Sequence, residues 1–166
     1  MRSTFFIILF LALQFCAIAQ QAWVLPKVQQ PVFRKDTLSI LKFNAKPDGL
    51  TLNTKAINDA VDALSKRGGG TVLVPAGLWL TGPVVLKSNI NLHLAVGATL
   101  LFTKEFSQYP LVKTNWEGLV QMRNQSPISA TGAQNIAITG KGIIDGNGDA
   151  WRMVKKDKLN ESQWKK

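Results

Sequence analysis

The chain has 166 residues, 46% of them apolar and 18% charged. This is globular composition, which excludes a disordered tail, and the length fits one domain or part of one. The formal charge is +10, with one cysteine (Cys16) and one histidine (His93). A disulfide framework, a cysteine-rich zinc site and a multi-histidine metal centre are therefore excluded.

The N-terminus reads as an export signal. Arg2 is a short basic start, Phe5 to Phe15 is an apolar run broken by Gln14, and Ala17-Ile18-Ala19 is an A-x-A cleavage site. Residues 1–19 are expected to be a cleaved signal peptide, which sends the protein to the periplasm or outside the cell. Bulky Gln14 and Phe15 before Cys16 argue against a lipoprotein. The apolar run is too short for a stable span, which needs ~20 residues. No later segment is long enough, so no stable membrane span is expected after cleavage.

Residues 20–39 read as a leader, with Pro26, Pro31 and Gln29-Gln30. Ile40 to Phe43 is expected to be a first short strand, and Lys46-Pro47-Asp48-Gly49 a turn. Ile57, Ala60, Val61 and Leu64 recur at helical spacing within 54–67. Asn53 or Thr54 is the expected N-cap, and Gly68-Gly69-Gly70 a stop and tight turn. These glycines follow a helix, whereas a phosphate cradle needs them before one.

From Thr71 the pattern changes to short strands, expected at 71–74, 84–86, 90–94, 99–102, 136–139 and 142–145. Turn residues separate them, and the fold class is all-β. Ser88-Asn89-Ile90-Asn91-Leu92 with Gly97-Ala98-Thr99-Leu100 is echoed by Gln134-Asn135-Ile136-Ala137-Ile138 with Gly140-Lys141-Gly142-Ile143-Ile144. Such a repeat suggests a solenoid with coils of roughly 23 residues, two per repeat, whose first coil is covered by the 54–67 helix. Residues 151–166 are lysine-rich and read as a surface loop or helix.

An ordered series of motifs resembles a known family. It runs Phe43-Asn44-Ala45-Lys46-Pro47-Asp48-Gly49, Asn53-Thr54-Lys55-Ala56-Ile57, Gly68-Gly69-Gly70-Thr71-Val72, Val74-Pro75-Ala76-Gly77 and Leu80-Thr81-Gly82. Leu86-Lys87-Ser88-Asn89, Leu92-His93-Leu94, Trp116-Glu117-Gly118, Asn135-Ile136-Ala137-Ile138-Thr139-Gly140 and Gly142-Ile143-Ile144-Asp145-Gly146 continue it. Most of residues 43–151 is similar to the N-terminal part of polygalacturonase-like glycoside hydrolases (glycoside hydrolase family 28). Pro47 stands where the family has glycine.

The resemblance implies a right-handed parallel β-helix, with residues 40–166 as its N-terminal coils. It implies inverting hydrolysis of α-galacturonide links in pectin by carboxylates on opposite faces of the sugar. It further implies a pectic polysaccharide or oligogalacturonide substrate and a monomeric full-length protein, and neither metal nor organic cofactor is expected. The family's Asn-Thr-Asp, Asp-Asp, His-Gly and Arg-Ile-Lys motifs do not occur in residues 1–166. No catalytic residue is carried over, and the chain is expected to be an inactive fragment of its parent.

Four residues are candidates for substrate binding: Trp116, Glu117, Arg123 and Trp151. The first three lie in 103–126, a long connection expected to line the binding face. Trp can stack on a sugar, and Arg can grip a uronate carboxylate with two hydrogen bonds. A packed loop anchored by Trp116 is the other reading. Asp145 and Asp149 are expected to be turn residues, and His93 to make a surface or inter-coil hydrogen bond. The positive charge suits a polyanionic glycan; no nucleic-acid motif accompanies it, so no nucleic-acid partner is expected. Asn124-Gln125-Ser126 and Asn160-Glu161-Ser162 are glycosylation sequons. A non-catalytic carbohydrate-binding β-helix and a pectate lyase-like enzyme are the alternative functions.

Overall fold

The computed structural model describes residues 25–152 and 160–164. The expected signal peptide and residues 153–159 lie outside them. Residues 25–30 have no regular structure, and every element belongs to the unit Pro31–Lys166.

The elements in chain order are strand β1 (Thr37–Ser39), a 3-10 turn (Ile40–Phe43) and helix α1 (Thr54–Lys66). Strands β2 (Gly70–Val74), β3 (Gly77–Thr81), β4 (Val84–Val85), β5 (Ile90–Leu94) and β6 (Ala98–Phe102) follow. Next come β7 (Leu111–Trp116), β8 (Leu119–Asn124), β9 (Ile128–Ser129), β10 (Ala137–Gly140) and β11 (Ile143–Asp145). Short 3-10 turns at Phe106–Gln108 and Gly148–Trp151 and one helical turn at Glu161–Trp164 complete the set.

Three parallel sheets wrap around one core. Sheet A has the order β1-β2-β5-β10, sheet B β3-β6-β11 and sheet C β4-β9. The coils β2-β3-β4 and β5-β6-β9 each visit A, B and C in turn, and the backbone hydrogen bonds of one coil are completed by the next. This is a parallel β-helix. Its interior is built of columns in register: Val72 beside Leu92 beside Ile138, and Trp79 beside Leu100 beside Ile144. Val72, Leu92, Trp79 and Leu100 are fully buried. The Trp79 indole N–H is satisfied inside the stack by the Pro75 carbonyl at 2.8 Å.

Helix α1 closes the stack at its first coil. Ala56, Ile57, Ala60, Val61 and Leu64 form its buried face against β1, β2, β4 and β5. Ile57, Val61 and Leu64 are each fully buried, worth about 1.5–3 kcal/mol apiece.

The structure corrects several expectations. Ile40–Phe43 is a 3-10 turn, because Ser39 Oγ accepts the Leu41 N–H and Asn44 ends it in the left-handed region. The first strand is Thr37–Ser39 instead. Asn53 does sit at the N-cap position, yet its side chain does not cap the helix. Gly77–Thr81 is a further strand; its run Gly-Leu-Trp-Leu-Thr shows no polar alternation to reveal it. The echo between residues 90 and 136 is one coil, not two. His93 lies directly beside Thr139, 46 residues on, whereas the preceding coil step, Thr71 to Asn91, is 20. The extra length is the β7–β8 insertion between β6 and β9.

Candidate functional site

The 103–126 connection is an antiparallel hairpin rather than a loop. Leu111 pairs with Asn124 and Trp116 with Leu119. Glu117 (φ 50°) and Gly118 (φ 84°) make the two-residue turn. Positive φ at both positions marks the primed turns whose twist suits a hairpin. All residues of both strands are exposed, so the hairpin stands clear of the core.

The hairpin overhangs the outer face of sheet C. Between them lies a groove of about 740 Å³ whose lining includes Val85 and Ser129 of sheet C, Trp116 and Arg123 of the hairpin, Tyr109 and Trp151. A second hollow of about 690 Å³ runs along the hairpin and includes Trp116, Glu117, Arg123 and Trp151. The four sequence candidates thus gather at one place. Strand alternation puts Val112, Thr114 and Trp116 on the same face as Leu119, Gln121 and Arg123. There the Arg123 guanidinium carbon lies 4.1 Å from the Trp116 ring centroid. Glu117 sits at the tip of the hairpin.

Trp151 is held from the other side. Asp145 Oδ1 accepts the Asn147 N–H at 2.8 Å, and Asn147 Nδ2 donates to the Phe102 carbonyl at 3.0 Å. The turn Gly148–Trp151 then brings Trp151 edge-on to Phe106 (4.5 Å) and Tyr109 (4.9 Å). Tyr109 was not legible as a groove residue. Its hydroxyl donates to the Thr103 carbonyl at 2.8 Å, and burial pushes its pKa up. Asp145 therefore shapes the scaffold, and Asp149 is an exposed residue 3.7 Å from Arg152.

His93 makes an inter-coil hydrogen bond, as expected: Nδ1 lies 2.8 Å from Thr139 Oγ1. Thr139 donates on to Asn91 Oδ1 at 2.9 Å, and Asn91 Nδ2 donates to Thr71 Oγ1 at 3.4 Å. A polar ladder thus crosses three coils on the outer face of sheet A. Among the described residues, no three His, Cys, Asp or Glu side chains are grouped to hold a metal ion. No helix among them is long and apolar enough to cross a membrane.

No family model matches the chain. A probable polygalacturonase from Vitis vinifera is 40% identical over 127 residues, which are 71% of this chain and 26% of that protein. This chain is related to the polygalacturonases. An exo-poly-alpha-D-galacturonosidase from Dickeya chrysanthemi is 41% identical over 133 residues, 75% of this chain and 22% of that protein. Among solved structures, the exopolygalacturonase of Thermotoga maritima superposes with a TM-score of 0.67 at 38% identity, over 72% of this chain and 27% of that one. The chain spans about a quarter of the length of these polygalacturonase relatives. The shared architecture is the right-handed parallel β-helix.

Proposed function

We propose that the protein carrying this chain is an exported glycoside hydrolase that cleaves α-galacturonide links in pectin. It inverts the anomeric centre with two carboxylate functions, one acid and one base. Its N-terminal coils begin at β1 (Thr37), preceded by a signal peptide (1–19) and a leader (20–36). Trp116, Glu117, Arg123 and Trp151 belong to its substrate-binding surface. The catalytic carboxylates are supplied by coils outside residues 1–166. The protein acts outside the cytoplasm as a monomer, with no organic cofactor and no nucleic-acid partner.

The observation that carries this reading is the relation to polygalacturonases at 38–41% identity along the capped coils. The groove adds support, since aromatic and guanidinium groups suit an anionic sugar chain.

The test is to express the whole reading frame that contains this chain and incubate it with polygalacturonate. Hydrolysis releases reducing ends without a 4,5-unsaturated product, and the first-formed reducing sugar is the β-anomer. An unsaturated product would replace this reading with an eliminating enzyme. Binding without cleavage would replace it with a carbohydrate-binding β-helix.

A further inference from the structure

We propose that Arg123 is the carboxylate-recognition residue of the hairpin groove, and that Trp116 is its positioning residue rather than a sugar-stacking platform. The inference rests on the reading of the substrate as an acidic glycan and assigns roles within that site. Trp116 and Arg123 share one face of the hairpin, four residue pairs apart with the Thr114–Gln121 pair between them on that face. Arg123 must fold back along this face to lie 4.1 Å from the indole centroid. A guanidinium in that position is held by the ring's negative face, while its N–H edge stays free to donate.

Arg123 has no other commitment among the described residues. It takes part in no ion pair or hydrogen bond there, and the carboxylates of Asp36, Asp59, Asp62 and Asp149 are paired with other cations. An arginine on an exposed strand ordinarily finds a carboxylate or is solvated and mobile. Here it lies over a ring, and both side chains line the groove. Gln125, Ser126 and Ser129 line the same groove and supply neutral donors and acceptors for hydroxyl groups. This combination suits a sugar bearing one carboxylate and several hydroxyls. Stacking a sugar on the Arg-covered face of Trp116 would require expelling Arg123.

The experiment uses the whole expressed protein and two probes, trigalacturonate and its methyl ester, with affinity measured by calorimetry. The variants are Arg123→Ala, Arg123→Lys, Trp116→Ala, Trp116→Phe and the double alanine variant. Arg123→Ala is expected to weaken trigalacturonate binding about tenfold or more and to leave the ester unchanged. Arg123→Lys recovers only part of the loss, because an ammonium cannot make the planar two-bond grip. Trp116→Ala weakens the acid alone, Trp116→Phe restores most of it, and the double variant is no weaker than Arg123→Ala. In the hydrolysis assay the same variants raise KM with little change in kcat.

Equal loss for acid and ester in Trp116→Ala, or additive losses in the double variant, would overturn the positioning role. Unchanged acid binding in Arg123→Ala would overturn the recognition role. If Arg123→Ala hydrolyses polygalacturonate like the wild type, the proposal falls while the hydrolase reading stands. If the acid-specific loss occurs in a protein that cleaves nothing, the proposal stands and the hydrolase reading falls. A loss on inorganic phosphate as large as on trigalacturonate would show a general anion site and overturn the sugar assignment.

Discussion

Asn53 sits where the Lys46 turn, the start of helix α1 and strand β3 meet. Its Oδ1 accepts the Lys46 N–H at 2.7 Å, and Nδ2 lies within 3.2 Å of the carbonyls of Lys46, Thr51 and Leu80. The residue is 2% exposed, so water cannot replace these bonds. Asn53→Ala is expected to destabilise the fold by about 2–3 kcal/mol, read as a lower urea midpoint with an unchanged slope. Asp48, five residues earlier, is a surface case. The Thr51 hydroxyl and the Thr51 and Leu50 N–H groups bond its carboxylate and lower its pKa to about 2. A carboxyl with a lowered folded pKa stabilises fully above its unfolded value, near ~3.9, and loses that contribution as pH falls through the folded one. In Asp48→Asn, the part of the acid-limb slope between pH ~4 and ~2 that Asp48 causes should vanish. An unaltered slope in urea titrations across that range would refute the assignment.

At the scale of elements, the hairpin and helix α1 are opposites. The helix buries one apolar face and closes the stack. The hairpin exposes every residue of both strands, including Leu119 and Val120 near its tip. An isolated two-stranded hairpin is marginal in water, so it adds little to global stability. Replacing residues 111–124 by a short Gly-Ser link should shift the thermal midpoint by no more than about 2 °C and abolish trigalacturonate binding. A large drop in the midpoint would mean that the hairpin is structural. Its existence was not legible beforehand. The strands are neither alternating nor continuously apolar, and the turn is Glu-Gly rather than the Asn-Gly that marks such turns. Helix α1 was legible because one apolar face at a 3.6-residue period has only one economical arrangement.

Across the whole molecule, backbone bonds between coils matter most. Strands β2 and β5 are paired on both sides, while the hairpin strands β7 and β8 pair only with each other. Amide exchange is therefore expected to be slowest at Gly70–Val74 and Ile90–Leu94 and faster at the exposed hairpin strands Leu111–Trp116 and Leu119–Asn124. Uniform protection through all four would contradict a stack of this order. The turn column adds direction to the same architecture. Gly69, Asn89 and Asn135 occupy successive turns with φ of 109°, 64° and 54°. Asn135 Nδ2 donates to Asn89 Oδ1 at 3.0 Å, and the Gly70 N–H donates to the Asn89 carbonyl at 2.9 Å. A Cβ on Gly69 would come within 2.4 Å of Asn89, so the coils approach closely at this corner.

Much of this organisation is local in origin. Apolar alternation, helix period, glycine corners and the order of short motifs are properties of neighbouring residues, and they determined the β-helix class, the cap and the kinship with polygalacturonases. The candidate residues were nameable because indole, guanidinium and carboxylate have few uses on a solenoid surface. Their roles are not local. The 46-residue coil, the standing hairpin over sheet C and the Arg123–Trp116 stack depend on which strands meet across long stretches of chain. Those meetings are decided by burial and inter-coil hydrogen bonding of the whole stack. Only the tertiary structure could turn Trp116 from a sugar platform into the support of an arginine.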